Sequence, residues 1–135
     1  MTVVLDSSAL ITLAEDHQDG VDWVHSVMES EACFVAAPSL VEMYFTVCHH
    51  RGAQQAEHWL SFVEGPDFRV VDLIQPELIV LAAQALLLEP KLSESAAFGA
   101  ALAHQMGVEL VSTSPRFKAL ARAGFCRVAT PPLER

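Results

Sequence analysis

Short apolar runs recur along the chain, separated by segments in which apolar residues fall every three or four positions. Residues 2–5 (TVVL) and 109–113 (ELVST) are short and rich in Val and Leu, as parallel strands buried on both faces are. Residues 33–37 (CFVAA) and 68–73 (FRVVDL) read as two more strands, and 126–129 (CRVA) as an edge strand. Between them the spacing turns helical. Val21, Val24, Val27 and Met28 share one face, as do Leu40, Met43, Tyr44 and Val47. Residues 77–88 (ELIVLAAQALLL) are apolar nearly all round, which predicts burial in the core or in an interface.

The punctuation agrees with these elements. Ser39 opens a "SLVE" capping box, Pro76 suits a first helical turn, and Ser114-Pro115 supplies an N-cap with proline behind it. Gly107 and Gly124 fit helix C-terminal positions. Alternating strand and helix predict a three-layer α/β/α sandwich around a mostly parallel five-stranded sheet. No linker, repeat or low-complexity segment interrupts the chain, so residues 1–135 are expected to form a single domain.

In such a sheet the chemistry gathers in the crevice at the carboxyl ends of the strands. The first strand runs into "LDSS" and the late one into "LVSTSPRF", so one delivers a carboxylate, Asp6, and the other only hydroxyls. Asp6 is the leading candidate for a functional acid, with capping of the next helix as its plain alternative. Glu42, the last member of "SLVE", has a similar alternative. Glu94, behind the N-cap Ser93, suits a surface acid that favours a helix start. The six histidines, including the His49-His50 pair, show no ligand spacing, and neither a Gly-rich phosphate loop nor a GxSxG elbow is present.

Charge narrows the choice of partners. The net charge is −9, unevenly spread: residues 1–67 hold eleven acids and one base, residues 68–135 six acids and seven bases. Phosphate contacts would therefore come from the later half, where Arg116, Lys118 and Arg122 cluster, although a solvated helix face explains that trio as well. Three cysteines without a CxxC pair read as buried thiols of a reducing cytoplasm. No apolar run reaches the roughly 18 residues of a membrane span, and the start lacks the form of a signal peptide.

Four segments in order, "VVLDSSALITL", "PSLVEMYFTV", "KLSESAAFGAALAHQMG" and "VELVSTSPRFKAL", resemble the PIN domain of VapC-type toxins over nearly the whole chain. The resemblance implies a magnesium-dependent (or manganese-dependent) ribonuclease site of four acids, an RNA substrate, a homodimer and a small antitoxin partner. Carried over by position, the first two acids fall on Asp6 and Glu42, which would be catalytic and metal-binding. The third position reads Ala96 and the fourth Ser114. Serine keeps a helix cap and alanine keeps helix propensity, but both drop the charge. The expectation is a toxin-like nuclease with a weakened or lost site; the alternative is a PIN-fold binding or regulatory protein without catalysis. A phosphoryl-receiver domain would want paired acids after the first strand, and "LDSS" supplies one.

Overall fold

The computed structural model describes residues 1–72 and 74–132. In chain order the elements are β1 (Thr2–Leu5), α1 (Ser7–Ala14), α2 (Val21–Ser30), β2 (Ala32–Ala36), α3 (Ala37–Arg51) and α4 (Ala53–Val63). There follow β3 (Phe68–Val71), α5 (Pro76–Leu88), α6 (Glu94–Met106), β4 (Glu109–Val111), a 3-10 turn (Pro115–Phe117), α7 (Lys118–Arg122) and β5 (Val128–Ala129).

All strand pairings are parallel, in the order β3-β2-β1-β4-β5. Side chains alternate between the two faces. Val3 and Leu5 of β1, with Val35 of β2 and Val111 of β4, pack against α1 to α4. Val4 and Leu110 point the other way, onto α5, α6 and α7. Both faces are covered, giving three layers, as the continuous Val/Leu runs of the strands predict. After β3 the chain returns to pair β4 on the free side of β1, so the strand order reverses between β1 and β4. That reversal is the switch point at which an open α/β sheet leaves a crevice.

Several element ends differ from expectation for local reasons. β4 stops at Val111, short of 113: Ser112 N–H still bonds to the Ala129 carbonyl at 3.0 Å, but Thr113 N–H turns to Ser8 Oγ at 3.0 Å and Ser114 N–H to Ser112 Oγ at 3.0 Å. β2 runs 32–36 where 33–37 was expected, since Ala37 and Pro38 already open α3. β3 ends at Val71, and position 73 of its expected tail lies outside the described residues. The capping box at Ser39 does not form. With α3 starting at Ala37, Ser39 is the third residue of the helix rather than its cap, fully buried and without a hydrogen-bond partner for its hydroxyl.

The helix at 76–88 is apolar all round but buries only Leu78, Ala82 and Ala85. Ile79, Val80 and Leu87 stand out from the other face, Leu87 at 82% exposure. Nothing within the described chain covers them. Cys33 and Cys126 are buried, whereas Cys48 is only partly so, and all three are free thiols. Burial pushes the Cys33 and Cys126 thiols up to about 11, so neither is a ready nucleophile.

Candidate active site

Asp6 follows the last residue of β1 directly and is the N-cap of α1. Its Oδ1 accepts the Ala9 N–H at 2.9 Å, so the capping role is real. It is not the only role. In the β1–β4 register Leu5 lies beside Val111, which places the next residues, Asp6 and Ser112, side by side at the switch point. The Ser112 hydroxyl donates to Asp6 Oδ2 at 2.9 Å, and the Ser8 hydroxyl donates to Oδ1 at 2.7 Å. The two serine oxygens are themselves 3.1 Å apart. Asp6 is thus a carboxylate at 1% exposure held by two hydroxyls and one amide.

Burial pushes the Asp6 carboxyl up from 3.8 to about 6. The bonds from Ser8, Ala9 and Ser112 pull it down but do not cancel the desolvation, and the nearby Glu42 charge pushes it up further. A capping aspartate in water needs no such arrangement. An acid kept against the cost of burial marks a candidate functional position.

Glu42 comes from the middle of α3 and accepts a hydrogen bond from the Ser7 hydroxyl. It therefore faces α1 rather than reaching back to Ser39. Asp6, Glu42, Ala96 and Ser114 line one cleft of about 170 Å³, together with Ser7, Ser8 and Arg116. Ala96 lies in the first turn of α6, where its N–H is capped by Ser93 Oγ at 3.1 Å. Ser114 caps the 3-10 turn, its Oγ accepting from Arg116 N–H at 3.2 Å. Helix starts are preserved at both positions where the resemblance would place an acid.

The other sequence candidates separate. Arg116 reaches the cleft and also donates to the Lys91 carbonyl at 3.0 Å. Lys118 lines a neighbouring cleft, and Arg122 is exposed and lines neither. Glu94 is exposed and outside the acidic cleft. The role of Ser7, Ser8 and Ser112 was not assigned from sequence. The signal was present, because aligning "LDSS" with "LVSTS" at adjacent strand ends sets Asp6 next to Ser112.

One histidine cluster also emerges. The buried Glu15, at the end of α1, accepts from His50 Nδ1 at 2.8 Å and contacts His17 Nε2 at 3.1 Å, while Arg51 donates to its carbonyl at 2.8 Å. These contacts tie the end of α1 to the end of α3, far from the acidic cleft along both helices.

The donors of the acidic cleft limit what could bind there. Among the described residues no group of three or more His, Cys, Asp or Glu is arranged to hold a metal ion. Asp6 Oδ1 already accepts two hydrogen bonds, whereas Oδ2 accepts one and keeps a lone pair free. That set suits at most one hard, largely hydrated cation, and it does not suit a pair.

An acidic cleft at the β1–β4 switch point of a parallel α/β/α sheet defines an α/β domain with a compact carboxylate–hydroxyl site. The chain belongs to the PIN domain family, whose model matches residues 3–123. Among solved structures it is similar to the Mycobacterium tuberculosis toxin VapC20, described as cleaving the sarcin-ricin loop, at 16% identity and a TM-score of 0.76, covering 97% of this chain and 100% of that one. It is also similar to a chain of VapBC2 from Rickettsia felis, bound to a promoter DNA fragment, at 14% identity and a TM-score of 0.72, covering 98% and 100%. A toxin–antitoxin complex from Klebsiella pneumoniae matches at 17% identity and a TM-score of 0.68, covering 98% and 100%. No curated protein sequence matches the chain.

Proposed function

We propose that this chain is a single-domain, toxin-type PIN ribonuclease working with an acid-depleted site, in which Asp6 and Glu42 hold one magnesium ion, or manganese in its place. The observation that carries the reading is the shared cleft of Asp6, Glu42, Ala96 and Ser114 at the switch point. A bound ion would supply a polarised water and charge neutralisation at a phosphate. The chain's own residues do the rest: Asp6 and Glu42 provide the anionic ligands, Ser8 and Ser112 fix the Asp6 carboxylate, and Arg116 offers a cation at the rim. With two carboxylates instead of four, a second ion is poorly supported, so activity should be low.

A second reading is favoured by a specific observation. Asp6 is already satisfied by three donors, as a carboxylate retired to a structural role would be. On that reading the chain is a PIN-fold binding or regulatory protein. Isothermal titration with magnesium chloride separates the two. The nuclease reading expects weak binding of one equivalent, abolished by Asp6→Asn; no binding up to tens of millimolar leaves the second reading.

Partners follow from the exposed apolar surfaces. The groove between α3 and α4, about 570 Å³, is lined by Leu40, Val41, Tyr44, Phe45 and Leu60, with Val41 71% and Phe45 69% exposed. Concave and apolar on the acidic half of the chain, it suits a basic amphipathic helix of an antitoxin-like protein. The ridge of Ile79, Val80 and Leu87 on α5 is assigned to a second copy of the chain. Leu87→Asp should then convert a dimer to a monomer in sedimentation velocity with native circular dichroism, and its melting temperature should lose the dependence on protein concentration that a dimer shows. A natural protein that is monomeric at high concentration would contradict the assignment. Among the described residues no helix is long and apolar enough to cross a membrane, and the free thiols suit a cytoplasmic site of action.

A further inference from the structure

The acidic cleft, at about 170 Å³, has room for a phosphate and its waters but not for a nucleotide. On the ribonuclease reading, the nucleotides flanking the cut bond must lie outside it. Ser114 also lines a second and larger cleft of about 580 Å³, so the two are neighbours that share that residue as a wall. We propose that this second cleft is a subsite for one base of single-stranded RNA, with the Trp23 indole as its stacking platform and Lys118 on the adjoining phosphate.

The cleft is built by close packing. Gly20, at φ 111°, lets the turn before α2 press against the carboxyl end of β4 and the segment after β5. A Cβ at Gly20 would stand 3.2 Å from Pro131 Cγ and 3.4 Å from Thr113 Cγ2, tighter than ordinary contact. The walls so formed carry two kinds of surface. Trp23, half-buried against the core under α2, and Pro131 are flat and apolar, which suits a base of any identity. Lys118 is exposed on the side that continues toward Ser114 and Arg116, giving the backbone a cationic path on an otherwise acidic protein. Asp19 and Asp22, before and on α2, also line the cleft, and their carboxylates repel phosphate and accept from amino groups. The base therefore points toward α2 and the backbone toward α7, and a base with an exocyclic amine is preferred over uracil.

The test uses the full-length protein in EDTA, so that binding is read without cleavage. The probes are fluorescein-labelled twelve-nucleotide oligoadenylate, oligocytidylate and oligouridylate, followed by anisotropy. In the Trp59→Phe background Trp23 is the remaining one of the two tryptophans, and its emission should be quenched as oligoadenylate binds. Trp23→Ala should weaken binding about 5- to 100-fold, as loss of one stacked base does. Trp23→Phe should stay within a few-fold, which guards against a folding defect in the alanine variant. Lys118→Ala should lower the slope of log affinity against log salt by about 0.7, the effect of one phosphate contact on a single strand. Oligocytidylate should bind about 5-fold more tightly than oligouridylate. Unchanged Trp23 emission during binding, an unweakened Trp23→Ala variant of native circular dichroism, or no binding at all would each overturn the subsite. Magnesium-dependent cleavage alongside a silent Trp23 would remove the subsite and leave the nuclease reading standing; quenching without cleavage would do the reverse.

Discussion

Restoring both missing carboxylates, by Ala96→Asp and Ser114→Asp, should raise magnesium affinity on the order of 100-fold. The figure takes about tenfold, or about 1.4 kcal/mol, for each added charge near the ion. The scaffold should accept both changes. Ala96 is in the first turn of α6, where an acid complements the helix dipole, and Ser114 is an N-cap, a role aspartate fills equally well. The cost is electrostatic. Four carboxylates around one small cleft repel each other without metal, so the double variant should be less stable in EDTA by about 1–3 kcal/mol. Magnesium at 100 times its dissociation constant should return about 2.7 kcal/mol, because it binds only the folded state. Melting curves with EDTA and with magnesium check both halves. A variant whose melting temperature ignores magnesium would mean that Ala96 and Ser114 do not address the same ion as Asp6.

Asp6→Asn should stabilise the protein at neutral pH while removing a ligand of the proposed metal site. A rise from 3.8 to about 6 means that ionising Asp6 costs the folded state about 3 kcal/mol more than the unfolded chain. The sign follows from the raised value. Below pH 4 the group is protonated in the folded state and contributes no penalty; between pH 4 and about 6 the stability is progressively lost, and above that the loss is complete. Asparagine never ionises and still caps α1 through its amide oxygen, although the Ser112 hydroxyl must turn from donor to acceptor. Allowing about 1 kcal/mol for that rearrangement, the variant should gain about 1–2 kcal/mol at pH 7.5, roughly 3–8 °C in Tm, and near pH 4, where the ionisation penalty is gone, should be the less stable protein by about 1 kcal/mol. Thermal melts from pH 4 to 8 in EDTA give the difference directly. A variant that is less stable at pH 7.5 would show that the hydrogen bonds outweigh the desolvation.

How legible this was in the sequence depended on whether the signal was periodic or spatial. The strands were legible because each is short, rich in Val and Leu and closed by a polar residue, and the sheet buries both of its faces. Their ends were less so. β4 stops early where Ser8, a hundred residues away, supplies the acceptor for Thr113 N–H and Ser112 Oγ that for Ser114 N–H. Ser39 looked like an N-cap because "SLVE" fits the local pattern, but Ala37-Pro38 starts the helix sooner. The four site positions were placed in one cleft by resemblance, with two of them no longer acids. What local pattern could not give was the hydroxyl cage around Asp6, because Ser112 becomes a neighbour of Asp6 only through the β1–β4 register. The exposed face of α5 was half legible: an all-round apolar helix has to hide its second face somewhere, and this chain alone does not hide it.

On the reading proposed above, Asp6 and Glu42 alone sustain a weak, magnesium-dependent ribonuclease. Its most direct test is cleavage of a labelled single-stranded RNA by the purified natural protein, with magnesium and with EDTA, alongside an identically purified Asp6→Asn protein. Slow cleavage is expected with magnesium, none with EDTA, and a loss on the order of 100-fold or more in the variant. Equal cleavage by both proteins, or none by the natural protein at any magnesium concentration, would contradict it.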